Sequence, residues 1–183
     1  MFLWILLALL VFVVLGTVGV YNNLVILRQN VKNGFAQIDV QLKRRHDLIP
    51  NLVETAKGYM GHERGTLENV TKARQQAINA TGLADRAQAE NMLTSTLRSL
   101  FAVAENYPNL TADQQMLKLQ EELSSTENKI AFARQYYNDE VARLNTSLQT
   151  FPNNTIAGML GFAAAEYLQI ENPAEKEAPQ VKF

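Results

Sequence analysis

The sequence contains no cysteine and two histidines. The first absence excludes a disulfide scaffold and any thiolate zinc site, and leaves the redox compartment open. Charge is scarce and balanced, with 19% charged residues and a formal net charge of −1. Bulk attraction to a nucleic-acid backbone needs an excess of positive charge, so nucleic acid is not an expected partner. No stretch alternates apolar and polar residues with the period of a strand. G-x-S-x-G, Walker and dinucleotide-binding loops are all missing. The histidines do not combine either: on a continuous helix His46 and His62 are about 24 Å apart. A zincin motif would need a second histidine where Thr66 stands, and the Glu-x-x-His pairs of di-iron bundles are absent. No catalytic residue, cofactor or metal is therefore expected, and each histidine reads as a surface or bundle-edge residue.

What is present is segregated along the chain. Residues 2–20, FLWILLALLVFVVLGTVGV, carry no charge, and as a helix they span about 28 Å, close to the thickness of a bilayer core. A cleaved signal peptide would want basic residues ahead of the apolar run, a shorter run and a small-residue cleavage pattern. A retained anchor over residues 1–21 is the better reading. Arg28, Lys32, Lys43, Arg44 and Arg45 follow the span, so the positive-inside rule places the N-terminus outside and the rest in the cytoplasm.

Beyond the anchor the pattern becomes helical. Val31, Phe35, Ile38, Leu42, Arg45, Ile49, Leu52, Ala56 and Tyr59 step by threes and fours, and the stripe can continue through Glu63, Leu67, Val70 and Ala77. This predicts a first helix running, kinked at Pro50 and weakened by Gly58, Gly61 and Gly65, from the membrane to about Ala80. A second helix is expected from Ala84 to Asn106, ended by Tyr107-Pro108. Thr111 to Gln114 reads as a capping box for a third helix, with its seam from Met116 to Phe151. A short last helix should follow Pro152 and run to about Gln169, with Ile156, Met159, Leu160, Ala163 and Tyr167 on one stripe as a lid on the bundle. Self-association or membrane contact is the alternative for that stripe. The fold class is all-α: a transmembrane helix continuing into an antiparallel bundle of three long helices and one short one, residues 22–170. Residues 171–183 read as a disordered tail.

One position on the first stripe is charged. Pro50 leaves the His46 carbonyl without its helical partner, and Arg45 sits on the seam among apolar neighbours. Either Arg45 reaches past them to water in a kinked helix, or it forms a buried ion pair that fixes helix register or meets another subunit. Glu127 and Glu140 are its candidate partners. The set Arg44, Arg45, His46, Asp47 and Pro50 is thus a structural or interaction element.

YNNLVILRQNV, IDVQLKRRHDLIPNLVETAKGY, HERGTLENVTKAR, ENYPNL, LQEELSSTENKIAFARQYYN and FPNNTIAGMLGF follow one another in the chain. In that order they resemble the LemA family of bacterial membrane proteins, over about residues 21–168. The shared landmarks add Tyr107, Pro108, Glu127, Arg134, Tyr137, Pro152 and Asn153 to the candidate structural or interaction residues. The resemblance implies an anchor in the bacterial inner membrane, an outside N-terminus and a cytoplasmic bundle. It defines no catalytic residue to carry over. A magnetosome-biogenesis protein in the same family makes membrane organisation the role implied by analogy.

The expected function is a non-enzymatic, membrane-anchored helical scaffold that self-associates as a homo-oligomer and organises a membrane region or presents a binding surface. Its partners would be the lipid bilayer and further copies of the chain. The alternative is an adaptor or accessory subunit for an integral-membrane enzyme such as a protease.

Overall fold

The computed structural model describes residues 1–168; the tail expected at 171–183 lies outside them. The described residues form six helices and no strand: α1 (Phe2–Lys57), α2 (Arg64–Asn79), α3 (Leu83–Ala104), α4 (Pro108–Thr111), α5 (Gln114–Gln149) and α6 (Asn153–Met159). They divide into two compact units. One holds residues 1–41 and 129–167, the other residues 42–128 with Leu168.

The unit of residues 42–128 is built from the end of α1, from α2, α3 and α4, and from the start of α5. The helix expected to reach Ala80 is two helices. It stops at Lys57, and Gly58 to Glu63 form a turn in which the Met60 amide donates to the Ala56 carbonyl at 2.9 Å. The glycines at 58 and 61 make helix costly there, and Met60 points inward, fully buried, in place of the exposed Tyr59. α2 then folds back along α1. Leu67, Val70, Ala73 and Ala77 on α2 join Ile49, Leu52 and Ala56 on α1 in one core with Leu93, Leu97, Leu100 and Ala104 on α3. Apart from Tyr59 and Glu63, the residues that the 3-4 spacing singles out in this unit are therefore buried, but by a hairpin rather than a rod. Gly82, at φ +85°, links α2 to α3 in a conformation that side-chain-bearing residues avoid.

α4 is a single turn with Pro108 at its first position, where a missing amide costs nothing. The cap of α5 is Asp113, not Thr111. One Asp113 carboxylate oxygen accepts from the amides of Gln115 and Met116, both at 2.9 Å, and these bonds hold its carboxyl below the usual range, with Tyr59 adding a further donor. Thr111 instead donates to the Pro108 carbonyl inside α4.

The unit of residues 1–41 and 129–167 pairs α1 with α5 in antiparallel fashion. A Cβ added at Gly34 would lie 3.1 Å from the Tyr137 Cα, so the helices meet where only glycine fits without displacement. The Phe35 and Tyr137 rings pack edge to face at 5.9 Å beside this point. α6 is shorter than expected. It ends at Met159 because Gly161 adopts φ +70° and the Phe162 amide donates back to the Ala157 carbonyl at 3.0 Å, a Schellman closure. Residues 163–168 continue without regular structure. They are fastened to α5 by Asn145, which donates to and accepts from the Ala165 backbone, both at 2.9 Å, and by the Tyr137 hydroxyl donating to the Glu166 carbonyl.

Candidate functional site

The polar centre of the second unit grows from Arg45. Helical spacing directs it into the core, where no part of it is exposed to solvent. One guanidinium nitrogen donates to Glu127 at 2.6 Å and to the Thr94 hydroxyl at 3.0 Å. The other donates to the Glu90 carboxylate. Thr94 in turn donates to the Glu90 carbonyl at 3.1 Å. Three helices, α1, α3 and α5, thus meet on one cation. Glu90 is as buried as its partner, with a side chain 3% exposed, whereas that of Glu127 is 36% exposed. Isolated, each charge would be costly in this core; together they compensate one another.

His46 stands at the edge of the cluster. Its Nε2 lies 2.9 Å from the second Glu90 oxygen. Burial and the nearby Arg45 and Arg74 charges lower its pKa from 6.5 to about 4. At neutral pH the ring is uncharged, and its buried Nε2, although close to Glu90, makes no hydrogen bond of good geometry. The carbonyl that Pro50 deprives of its helical amide is taken up by α2: Arg74 Nε donates to the His46 oxygen at 2.7 Å. The carbonyl that Pro50 frees on α1 is therefore joined to the folded-back α2 by one bond.

Of the expected partners of Arg45, Glu127 is one and Glu140 is not. Glu140 is buried in the other unit and accepts from Arg143 at 2.9 Å. Glu90 was not among the candidates, although one signal marked it. It stands three positions before Leu93, in register with the stripe Leu93, Leu97, Leu100, so the apolar seam of α3 carries one acid as that of α1 carries one base. Arg74 carried no comparable signal, because its partner is a backbone atom.

The other candidates are dispersed. Arg44, Asp47 and Pro50 are exposed on α1. Tyr107, half-buried before α4, reaches Glu63 with a long contact of 3.5 Å. Arg134 is half-buried on α5. Tyr137 is buried, and burial raises its pKa, with Glu166 adding to the shift. Pro152 precedes α6, and Asn153, the first residue of that helix, donates to Ser147 Oγ at 2.9 Å. The Met159, Leu160 and Tyr167 side chains, expected in a lid, are instead largely exposed. His62 is exposed in the turn before α2, apart from His46. Among the described residues no group of three or more His, Asp or Glu is placed to hold a metal ion.

The described residues thus form an all-α protein whose first helix is long and apolar enough to cross a membrane, and whose polar centre ties helices to one another. The profile of the LemA family matches residues 34–183. The chain belongs to the LemA family. It is 26% identical over 144 residues to Protein LemA of Metamycoplasma hominis, a match covering 78% of this chain and 66% of that protein. It is 24% identical over 180 residues to Magnetosome protein MamQ 2 of Paramagnetospirillum magneticum, covering 84% of this chain and 66% of that protein. Magnetosome protein MamQ of Magnetospirillum gryphiswaldense is similar at 22% identity over the same length. The chain thus spans 66% of the length of each of these curated relatives. None of their names denotes an enzymatic activity.

Proposed function

We propose that the protein is a non-enzymatic, membrane-anchored helical scaffold that self-associates and organises a region of the membrane or presents a binding surface on it. The observation that carries this reading is the continuity of α1. The apolar window at its start has none of its residues buried, and the same helix, without a break, goes on through Leu24, Val31 and Ile38, which are buried in the unit that it forms with α5. A flexible tether would only confine this unit to a surface; an unbroken helix also passes orientation from the bilayer to it. Arg28, Lys32, Lys43 and Arg44 support a cytoplasmic domain and an outside N-terminus. The names of the MamQ relatives support a role in membrane organisation. Within this reading the Arg45 cluster serves as a register lock for α1, α3 and α5, not as a reaction centre, because its charges are spent on one another.

The test is the mass of the full-length protein in nanodiscs, beside that of a chain beginning at Asn22. The expected result is a discrete oligomer that requires residues 1–21. Monomers in both cases would overturn the scaffold and favour the second reading, an adaptor for an integral-membrane enzyme, which pull-down of a partner would then pursue.

A further inference from the structure

We propose that the end of α5, α6 and residues 161–165 form a second membrane contact, an interfacial element that seats Phe151, Met159 and Leu160 in the lipid headgroup layer beside the point where α1 leaves the bilayer. The inference rests on the anchor reading of α1 and adds to it.

The level of this element follows from the pairing of α1 with α5. Gly34 and Tyr137 are opposite one another. Descending α5 from Tyr137 to its last residue, Gln149, covers roughly 18 Å, and the same descent along α1 leads from Gly34 to Asn22, just past the apolar span. Phe151 lies two residues beyond and therefore at the height of the span's end. Phe162 fixes the other side of α6 at the same height. Its ring packs edge to face on Tyr21 at 6.0 Å and lies under the Arg28 guanidinium at 5.1 Å. Met159 and Leu160 are three and two residues from Phe162, and so are held within roughly 11 Å of it by chain length alone.

The charges mark the same plane. α1 carries no charged residue from Phe2 to Leu27, and the chain carries none from Leu144 to Ala165. Charge begins at Arg28 on α1 and at Arg143 on α5, six positions from Gly34 and six from Tyr137 respectively. Two segments distant in sequence thus gain their first charge, in each case an arginine, at one height, Arg143 with Glu140 as its partner, as expected where both leave a lipid surface. Below that height Phe151 is 84%, Met159 81% and Leu160 50% exposed. Unlike the single exposed Phe132, these three fall within ten residues of one another, and a patch of large apolar side chains marks a contact outside the domain. Continuity with the apolar span names a bilayer as that partner, and the aromatic residues Tyr21, Phe151 and Phe162 are of the type that gathers at the headgroup level.

The absence of cysteine makes the test direct. Single nitroxide labels are placed through Leu10→Cys, Phe132→Cys, Phe151→Cys and Met159→Cys in the full-length protein, in vesicles of phosphatidylethanolamine and phosphatidylglycerol. Phe132 is also widely exposed, but it lies on the side of Tyr137 away from the span. The readout is the ratio of collisions with lipid-soluble oxygen to collisions with a water-soluble nickel chelate. The expected result is a ratio at 151 and 159 several-fold above that at 132, with Leu10 higher still. A ratio at 151 and 159 equal to that at 132, with Leu10 in lipid, overturns this inference and leaves the anchor standing. If Leu10 itself reports water, the anchor reading falls first. Spin–spin broadening at 151 or 159 that disappears on dilution with lipid would assign the patch to a second copy of the chain and also overturn the inference.

Discussion

Arg45 is fully buried and Phe151 is 84% exposed, so the two units depart from the usual partition of charge and apolar surface in opposite senses. Around Arg45 the departure is compensated within the fold. Glu90, Glu127 and Thr94 take up the two terminal guanidinium nitrogens in place of water, and Nε alone is left without a partner. Around Phe151, Met159 and Leu160 the domain supplies no cover. A buried charge with partners therefore points inward, to how the helices are held in register. A patch of exposed apolar side chains at the level where an apolar span ends points outward, to a surface beyond the domain. The same sequence rule, apolar in and polar out, is broken twice, and where the compensation is found distinguishes structure from interaction.

The sharpest way to break the inward half of this comparison is Arg45→Leu. Without the cation Glu90 remains charged inside the core, and the expected loss is about 3–5 kcal/mol, read as a shift in urea midpoint of the full chain in detergent. Stability unchanged or raised would mean that the cation reaches water and the cluster is incidental. On the other side, Gly34→Leu forces a side chain against the Tyr137 backbone. Overpacking of this kind should cost about 1–3 kcal/mol, seen in the same titration and as a loss of the Phe35–Tyr137 contact by NMR.

Smaller is the effect of pH through His46. Its pKa is lowered in the folded chain from 6.5 to about 4, so its contribution is fully present above pH 6.5. Between 6.5 and 4 the unfolded chain binds a proton that the folded chain refuses, and stability declines as pH falls through that window. With allowance for solvent screening the decline is on the order of 1 kcal/mol. Comparing His46→Gln with the natural chain isolates it from the carboxylates: the variant should show the shallower slope. Smallest should be Glu127→Gln, at under about 1 kcal/mol, because this partner of Arg45 is partly solvated. A cost equal to that of Glu90→Gln would show the cluster acting as one unit.

Much of this was legible from spacing. The 3-4 stripe from Val31 to Ala56 and that from Met116 to Leu144 are the buried faces of α1 and α5, since a long helix packed on one side must repeat near its own turn. What spacing missed were changes of direction. The stripe on α1 runs on into Leu67, Val70 and Ala77 without a break in period, yet the chain reverses at Gly58 to Glu63. A hairpin and a rod bury the same residues and leave the same pattern. The end of α6 failed for a related reason: Ala163 and Tyr167 keep helical spacing, but Gly161 at φ +70° has already closed the helix.

The sequence by itself determined the all-α class, the apolar span and the choice of residues for the core, because these depend on local composition and period. It also placed a charge on the seam of α1. Only tertiary structure decided what that charge meets. Glu90 is 45 residues from Arg45 and Glu127 is 82, and no local rule chooses between Glu127 and Glu140 until the fold-back of α2 and the register of α5 are known. The meeting of Phe162 with Tyr21 was decided in the same way, in the unit where Gly34 closely approaches Tyr137, since pairing two helices sets the level of the residues on both.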